Sequence, residues 1–377
     1  PATPEIYPLS LQTLFRAITP EDAQERLDLY RQKIYPRNPY VKISDDMTVT
    51  DFRKNEPYLF NVIMAVSSIV YTKPMPLDTS LEIDITAIRQ IVEEVLIGGH
   101  KKTEYVKSFL LLALWNNSPE LFRNRRFHIM NYLSVTLLHD LGIVGKPNFL
   151  FMSGNGKFHK STHPGNDKHS THSIHSTHSK EGNTRDDATD FNSPYSGTPK
   201  DNDSVLLAAP ELIEQKKIIL ILFFQTVLIC LTLRRSIYVK WTPYVEECCQ
   251  ILEFLDNPED VYIALFSRLS RELERVHHLV HTPEREGSGL ASRYVIEEIQ
   301  KNLEGIKHKI PKNDAQFLTY YYLVEAYLHE PYLANIVSND VVSGAGIKSD
   351  TIAAVSRCTV LCMKALEMFN LLSVDQL

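Results

Sequence analysis

Glycine is scarce in this chain, 14 of 377 residues, and scattered. Loops that cradle phosphate rely on glycine backbone leading into a helix N-terminus, so most sites of that kind are excluded. The dinucleotide fingerprint, the Gly-rich phosphate loop, Gly-x-Ser-x-Gly and His-Glu-x-x-His are all missing, and no other catalytic arrangement rises above chance. Tyr327-Leu328-His329-Glu330 sets a histidine beside a carboxylate, but adjacent helical residues point about 100° apart and do not pair. A surplus of positive charge is lacking too. Lys plus Arg number 40 against 46 Asp plus Glu, a net charge of −6, so there is no basic field to hold a nucleic-acid backbone. Cysteines number five: Cys230, Cys248, Cys249, Cys358 and Cys362. They sit in apolar helical contexts without the spaced Cys/His companions of a zinc site, so reduced, buried thiols are expected. Apolar–polar alternation long enough for a strand is absent. No secretory leader opens the chain and Pro1, not Met, stands first, which reads as a piece excised from a longer protein.

One long hydrophobic run is present. Ile218–Leu233, IILILFFQTVLICLTL, is entered through Lys216-Lys217 and left through Arg234-Arg235, with Gln225, Thr226 and Thr232 as its polar interruptions. A helix apolar on nearly every side belongs in a large core or in lipid. A bilayer crossing takes roughly 20 apolar residues, so this shorter run is read as a core helix and no membrane partner is expected. Gln225 and Thr232 are seven apart and share one helical face, which predicts a polar seam inside an apolar bundle. Polar groups there need a partner: a side chain, a water or a bound ligand.

The rest of the pattern is helical. Ala23, Leu27, Tyr30 and Ile34 step by three or four, with Thr19 or Asp22 as caps. Leu59, Ile63, Val66 and Val70 line a second helix, and Asp84–Ile97 and Thr103–Trp115 continue the period across Gly98-Gly99. Arg125–Leu141 ends at Gly142 and carries His128, Tyr132, Val135 and His139 on one face; His139 either meets an effector or is satisfied by a neighbouring helix. Thr242-Pro243 and Asn257-Pro258 open two more helices. The second has Arg268, Arg271, Glu272, Glu274 and Arg275 on what reads as a solvated face. Stripes in 292–306, 314–333 and 349–372 complete the set. The fold class is all-α, a single large domain of roughly ten helices. Its halves, 1–150 and 205–377, are separated by a Ser/Thr/His-rich stretch, 151–204, too poor in aliphatic residues to order itself. Within that stretch His169, His172, His175 and His178 recur every three residues. Such a tract can hold a transition metal loosely, but a removable low-complexity insertion is the reading adopted.

In series, four segments resemble a known family. LFNVIMAVSSIVY, following YPRNPYVKI, NYLSVTLLHDLGI, LTLRRSIYVKWTPYVEECCQIL and FLTYYYLVEAYLHEPYL are similar, in that order, to segments of the regulatory middle homology domain of fungal binuclear zinc-cluster transcription factors. The likeness spans about Leu27 to Leu333 and lies nearest the branch of weak-acid-stress, leucine-pathway and protease-gene regulators. Two departures are plain: Ser236 stands where the family has Pro after the paired basic residues, and Lys216-Lys217 replaces the usual Arg-Arg.

The resemblance implies a nuclear regulator whose helical body senses a small effector or restrains an activation segment. It also implies that zinc and DNA contact belong to a six-cysteine cluster absent from these residues, so no cofactor is expected here. The expected mechanism is a shift between two packings when a small apolar or weakly acidic molecule enters beside the central helix. Gln225, Thr226, Thr232 and His139 are the candidate polar wall. Arg234 or Arg235 is the candidate carboxylate anchor, unless both simply solvate a helix end. The alternative is a ligand-free scaffold for coregulator proteins, and a homodimer is a further expectation.

Overall fold

A computed structural model describes residues 18–71, 77–115, 127–144, 210–233, 235–281, 289–311, 314–330 and 349–372. The stretch 151–204, with its histidine tract, lies outside the described residues, as does Arg234. Helices α1 (Pro20–Leu29), α2 (Val49–Asn55), α3 (Pro57–Val66), α4 (Leu77–Val92), α5 (Thr103–Leu114) and α6 (Phe127–Asp140) come first. They are followed by α7 (Pro210–Thr232), α8 (Pro243–Phe254), α9 (Pro258–His281), α10 (Gly289–Lys309), α11 (Ala315–Tyr327) and α12 (Ser349–Leu371). The described residues hold twelve α-helices and no strand, an all-α fold with two helices more than the periodicity suggested. The described helices on both sides of residues 147–209 fall into one body.

Helix starts follow local chemistry. Thr19, Thr48, Thr242 and Asp314 each accept a hydrogen bond from the backbone N–H three residues on, satisfying an orphan donor of the first turn. Pro57 opens α3, whose preceding residue Glu56 supplies no side-chain cap. The Tyr58 and Leu59 N–H groups instead donate to Glu104 Oε1 of α5, at 2.7 and 3.2 Å. Gly142, in the left-handed region at φ 69°, follows the end of α6 as the sequence predicted.

Around α7 the other helices gather, and every residue from Ile218 to Val227 is at most 4% exposed. It is long and apolar enough to cross a membrane by length and composition, yet here α6, α8 and α9 pack against it. The helix also starts earlier than its apolar run. Lys216 and Lys217, expected as an entry boundary, lie within it. Lys216 is buried with its ammonium 5.3 Å from the Tyr244 ring centroid, and Lys217 pairs with buried Asp260. Long aliphatic stems let such cations lie along apolar surface while the charged end finds an aromatic face or a carboxylate.

The face of α9 predicted as solvated is instead packed. Arg268 is held by both oxygens of Glu253, at 2.7 and 3.1 Å, and by Glu246 at 3.0 Å. Glu272 is 3% exposed, bonded to Arg275 and Asn302. Helical charge spacing alone does not distinguish a wet face from one that lies against α8 and α10. Among the thiols, Cys230, Cys248 and Cys249 are buried, but Cys358 is only half-buried and Cys362 is exposed.

Candidate functional site

Polar side chains meet in the core where α6, α7 and the segment after α7 converge. Thr226 is fully buried; its hydroxyl donates to the Leu222 carbonyl (2.6 Å) and accepts from Asn131 Nδ2 of α6 (2.8 Å). The same Asn131 amide donates to the Tyr238 hydroxyl (2.7 Å). Burial pushes the Tyr238 phenol up despite the Asn131 and Thr226 bonds. Gln225, the residue before Thr226 on α7, is 4% exposed and turns to another side, where its Nε2 reaches the Leu110 carbonyl of α5 at 3.5 Å. Two carbonyl oxygens here, Gln225 Oε1 on the side of α5 and Asn131 Oδ1 on α6, are buried and accept no hydrogen bond from the protein. An acceptor left without a donor inside a core costs on the order of 1–3 kcal/mol, so each of the two marks a place where a donor is wanted.

The remaining candidates do not join this seat. Thr232 is exposed and its hydroxyl turns back to the Leu228 carbonyl (2.8 Å). It shares a face with Gln225, but seven residues are roughly 10 Å of helix, and by then α7 has left the core. His139 is exposed in the last turn of α6. Arg235 is exposed; its N–H donates to the Cys230 carbonyl (2.7 Å), and its guanidinium lies 3.2 Å from His128 Nδ1. Partial burial and then the Arg235 charge hold the His128 imidazole below its usual value, which suits a neutral ring accepting from arginine. His128 and Tyr132 pack edge-on against the Tyr238 ring, at 5.8 and 5.1 Å between centroids.

Asn131 and Tyr238 were not singled out from the sequence. The available signal was Asn131 and Ser134, two polar residues three apart inside an apolar helix, both now fully buried. Beside this seat, Trp241 Nε1 donates to Glu246 (3.2 Å) and the Arg271 guanidinium lies 5.0 Å from the Trp241 ring. Burial raises the Glu246 carboxyl, but Arg268 and Arg271 together pull it below the ordinary range. That network locks the 235–242 segment, and so Tyr238, onto α8 and α9. A separate open cleft of about 310 Å³ lies between α9 and α10, bordered by Arg268, Arg271, Lys301 and Lys309. It does not reach Gln225 or Thr226. Burial holds the Cys248 thiol up at about 11 and Cys249 higher still, which leaves both unreactive at neutral pH.

Polar groups gathered in the interior of an all-helical body, with unreactive core thiols, fit a regulatory or binding module of a transcription factor. More particularly, the chain belongs to the WAR1 C-terminal domain family, whose model matches residues 14–377. It is 39% identical over 363 residues to Transcriptional regulator WAR1 of Candida albicans, covering 96% of this chain and 33% of that protein. It is 25% identical over 382 residues to Weak acid resistance protein 1 of Saccharomyces cerevisiae, covering 94% of this chain and 36% of that protein. The chain thus spans about a third of the length of these curated relatives. Both are fungal, both are named as regulators or resistance proteins and not as enzymes, and they fit the weak-acid branch of the resemblance. No solved structure matches.

Proposed function

We propose that this chain is the effector-sensing part of a fungal transcription regulator, and that a small weak organic acid is its effector. The reading rests on the orphaned acceptors Gln225 Oε1 and Asn131 Oδ1 in an otherwise apolar interior. An undissociated carboxylic acid carries one O–H donor and an apolar tail, which complements such a seat. The seat is closed in the present packing, with Thr226 fully buried and Gln225 nearly so. Entry therefore requires α6 or the Tyr238 segment to move, and binding is coupled to a second arrangement of the helices. A ligand that fits only that arrangement draws the population toward it. Arg235, exposed and 3.2 Å from His128, supplies a cation for an acid that arrives ionised. DNA contact, zinc and nuclear action are assigned to parts of the regulator outside these residues, since the chain itself carries a net charge of −6.

Thermal melting with a panel of short linear, branched and aromatic carboxylic acids tests this. The expected result is a rise in melting temperature with several acids, larger at pH 5 than at pH 7, and lost in Gln225→Leu while that variant remains folded by circular dichroism. A melt unmoved by every acid, with a coregulator protein binding the same preparation, would point instead to a ligand-free scaffold.

A further inference from the structure

The thiols of this chain fall into two kinds. Cys230, Cys248 and Cys249 are buried, whereas Cys358 is half-buried and Cys362 exposed, both on α12. Four residues apart, these last two stand one above the other on a single helical face. Cys358 continues the line of buried Ala354 toward α11, and Cys362 opens the pair to solvent. The two thiols act on each other. Burial first, then the charge and hydrogen bond of Cys362 and the charge of Glu330, push the Cys358 thiol up. At neutral pH it therefore carries its proton and is not a nucleophile on its own account.

What such a pair can hold follows from its reach. Side chains four apart on a helix have Cβ atoms roughly 5–6 Å apart. A disulfide needs roughly 3.5–4.5 Å, so direct oxidation would bend the helix. An atom placed between the two sulfurs fills the gap without bending it. Thiolates favour soft ions, copper(I) and zinc among them. Structural zinc takes four ligands, and among the described residues no third histidine, cysteine or carboxylate is grouped with these two. Copper(I) is satisfied by two sulfurs in line. The neighbours Cys248 and Cys249 offer no equivalent, because adjacent helical side chains point about 100° apart and both thiols are buried. We infer that Cys358 and Cys362 form a two-thiolate site for a soft monovalent cation, copper(I), which enters at Cys362 and is closed in by Cys358. Two S–H groups lose their protons to solvent and two S–Cu bonds form, with no change of oxidation state. The bridge ties successive turns of α12 together. The inference does not depend on the effector reading.

Copper(I), supplied without oxygen as its acetonitrile complex to the 377-residue chain in competition with bicinchoninate, should bind once per chain, with two sulfur neighbours by X-ray absorption. The tract containing His169, His172, His175 and His178 competes for copper, so the site is located by mass spectrometry. Copper(I) should slow alkylation of Cys358 and Cys362 by iodoacetamide roughly tenfold or more, and zinc should not. Cys358→Ser or Cys362→Ser should abolish the sulfur-bound copper with an unchanged helical spectrum, and replacing the four tract histidines by alanine should leave it. Because the Cys358 proton must leave, affinity should rise about tenfold per pH unit between pH 6 and 7. Equal sulfur-bound copper in the Cys358→Ser, Cys362→Ser double variant overturns the inference, as does protection by zinc equal to that by copper(I), or copper bound through nitrogen alone. Should the serine variants misfold, alkylation of the unaltered chain decides.

Discussion

Thr226 and Asp84 mark the two ways in which a single polar residue entered this core. Thr226 was legible because a hydroxyl in a run of isoleucine, leucine and phenylalanine stands out from its neighbours. Its donor was not: Asn131 lies 95 residues earlier, and helical periodicity says which face is apolar without saying which helix that face meets. The same gap explains why Thr232 and His139 joined the predicted wall, since a shared face says nothing about depth along the axis. Asp84 was read only as the start of a helical stretch, with no sign of its burial. Burial raises its carboxyl to about 6, with the Arg26 charge opposing. A folded-state value above the unfolded one means that the native state holds the proton more tightly, so stability is greatest below about pH 4 and falls as pH rises through 6. After allowance for its partial exposure the loss is about 2 kcal/mol. Urea titrations across pH 4 to 7 should show Asp84→Asn flattening that slope relative to the parent chain, and equal slopes would contradict the assignment.

At the scale of the element, the helix starts that depend on their own sequence were readable: Thr19, Thr242-Pro243 and the Gly142 stop all act where the pattern put them. The start of α3 was readable only as a proline, because its cap comes from another helix. Glu104 is 7% exposed and receives two N–H groups, although burial still raises its carboxyl. Glu104→Ala should cost about 2 kcal/mol by leaving the Tyr58 and Leu59 donors buried without acceptors, and Glu104→Gln should cost less because its amide oxygen still accepts. The urea midpoints of the two variants measure the difference. The charged face of α9 failed for the opposite reason. Its arginines and glutamates have the spacing of a wet surface, and only tertiary packing turned Arg268 and Glu272 inward.

For the whole molecule, the all-helical class and the burial of the apolar helix followed from composition and period, because a helix greasy on every side has few places to go. Which helices surround it did not follow. α7 comes from the second half of the chain, yet its Thr226 and Gln225 bond to α6 and α5 of the first. Residues 1–146 expressed alone should therefore lack the apolar partner of α6, melt without a cooperative transition and bind a hydrophobic dye.

One contact carries this across the full chain. The Tyr35 hydroxyl donates to Glu259 at 2.7 Å over a separation of 224 residues. During synthesis, at about 5–20 residues per second, a ribosome that has delivered Tyr35 must work for many seconds before Glu259 exists. The early helices spend that interval with apolar faces that have not yet met their partners, a state in which unfinished chains are prone to aggregate.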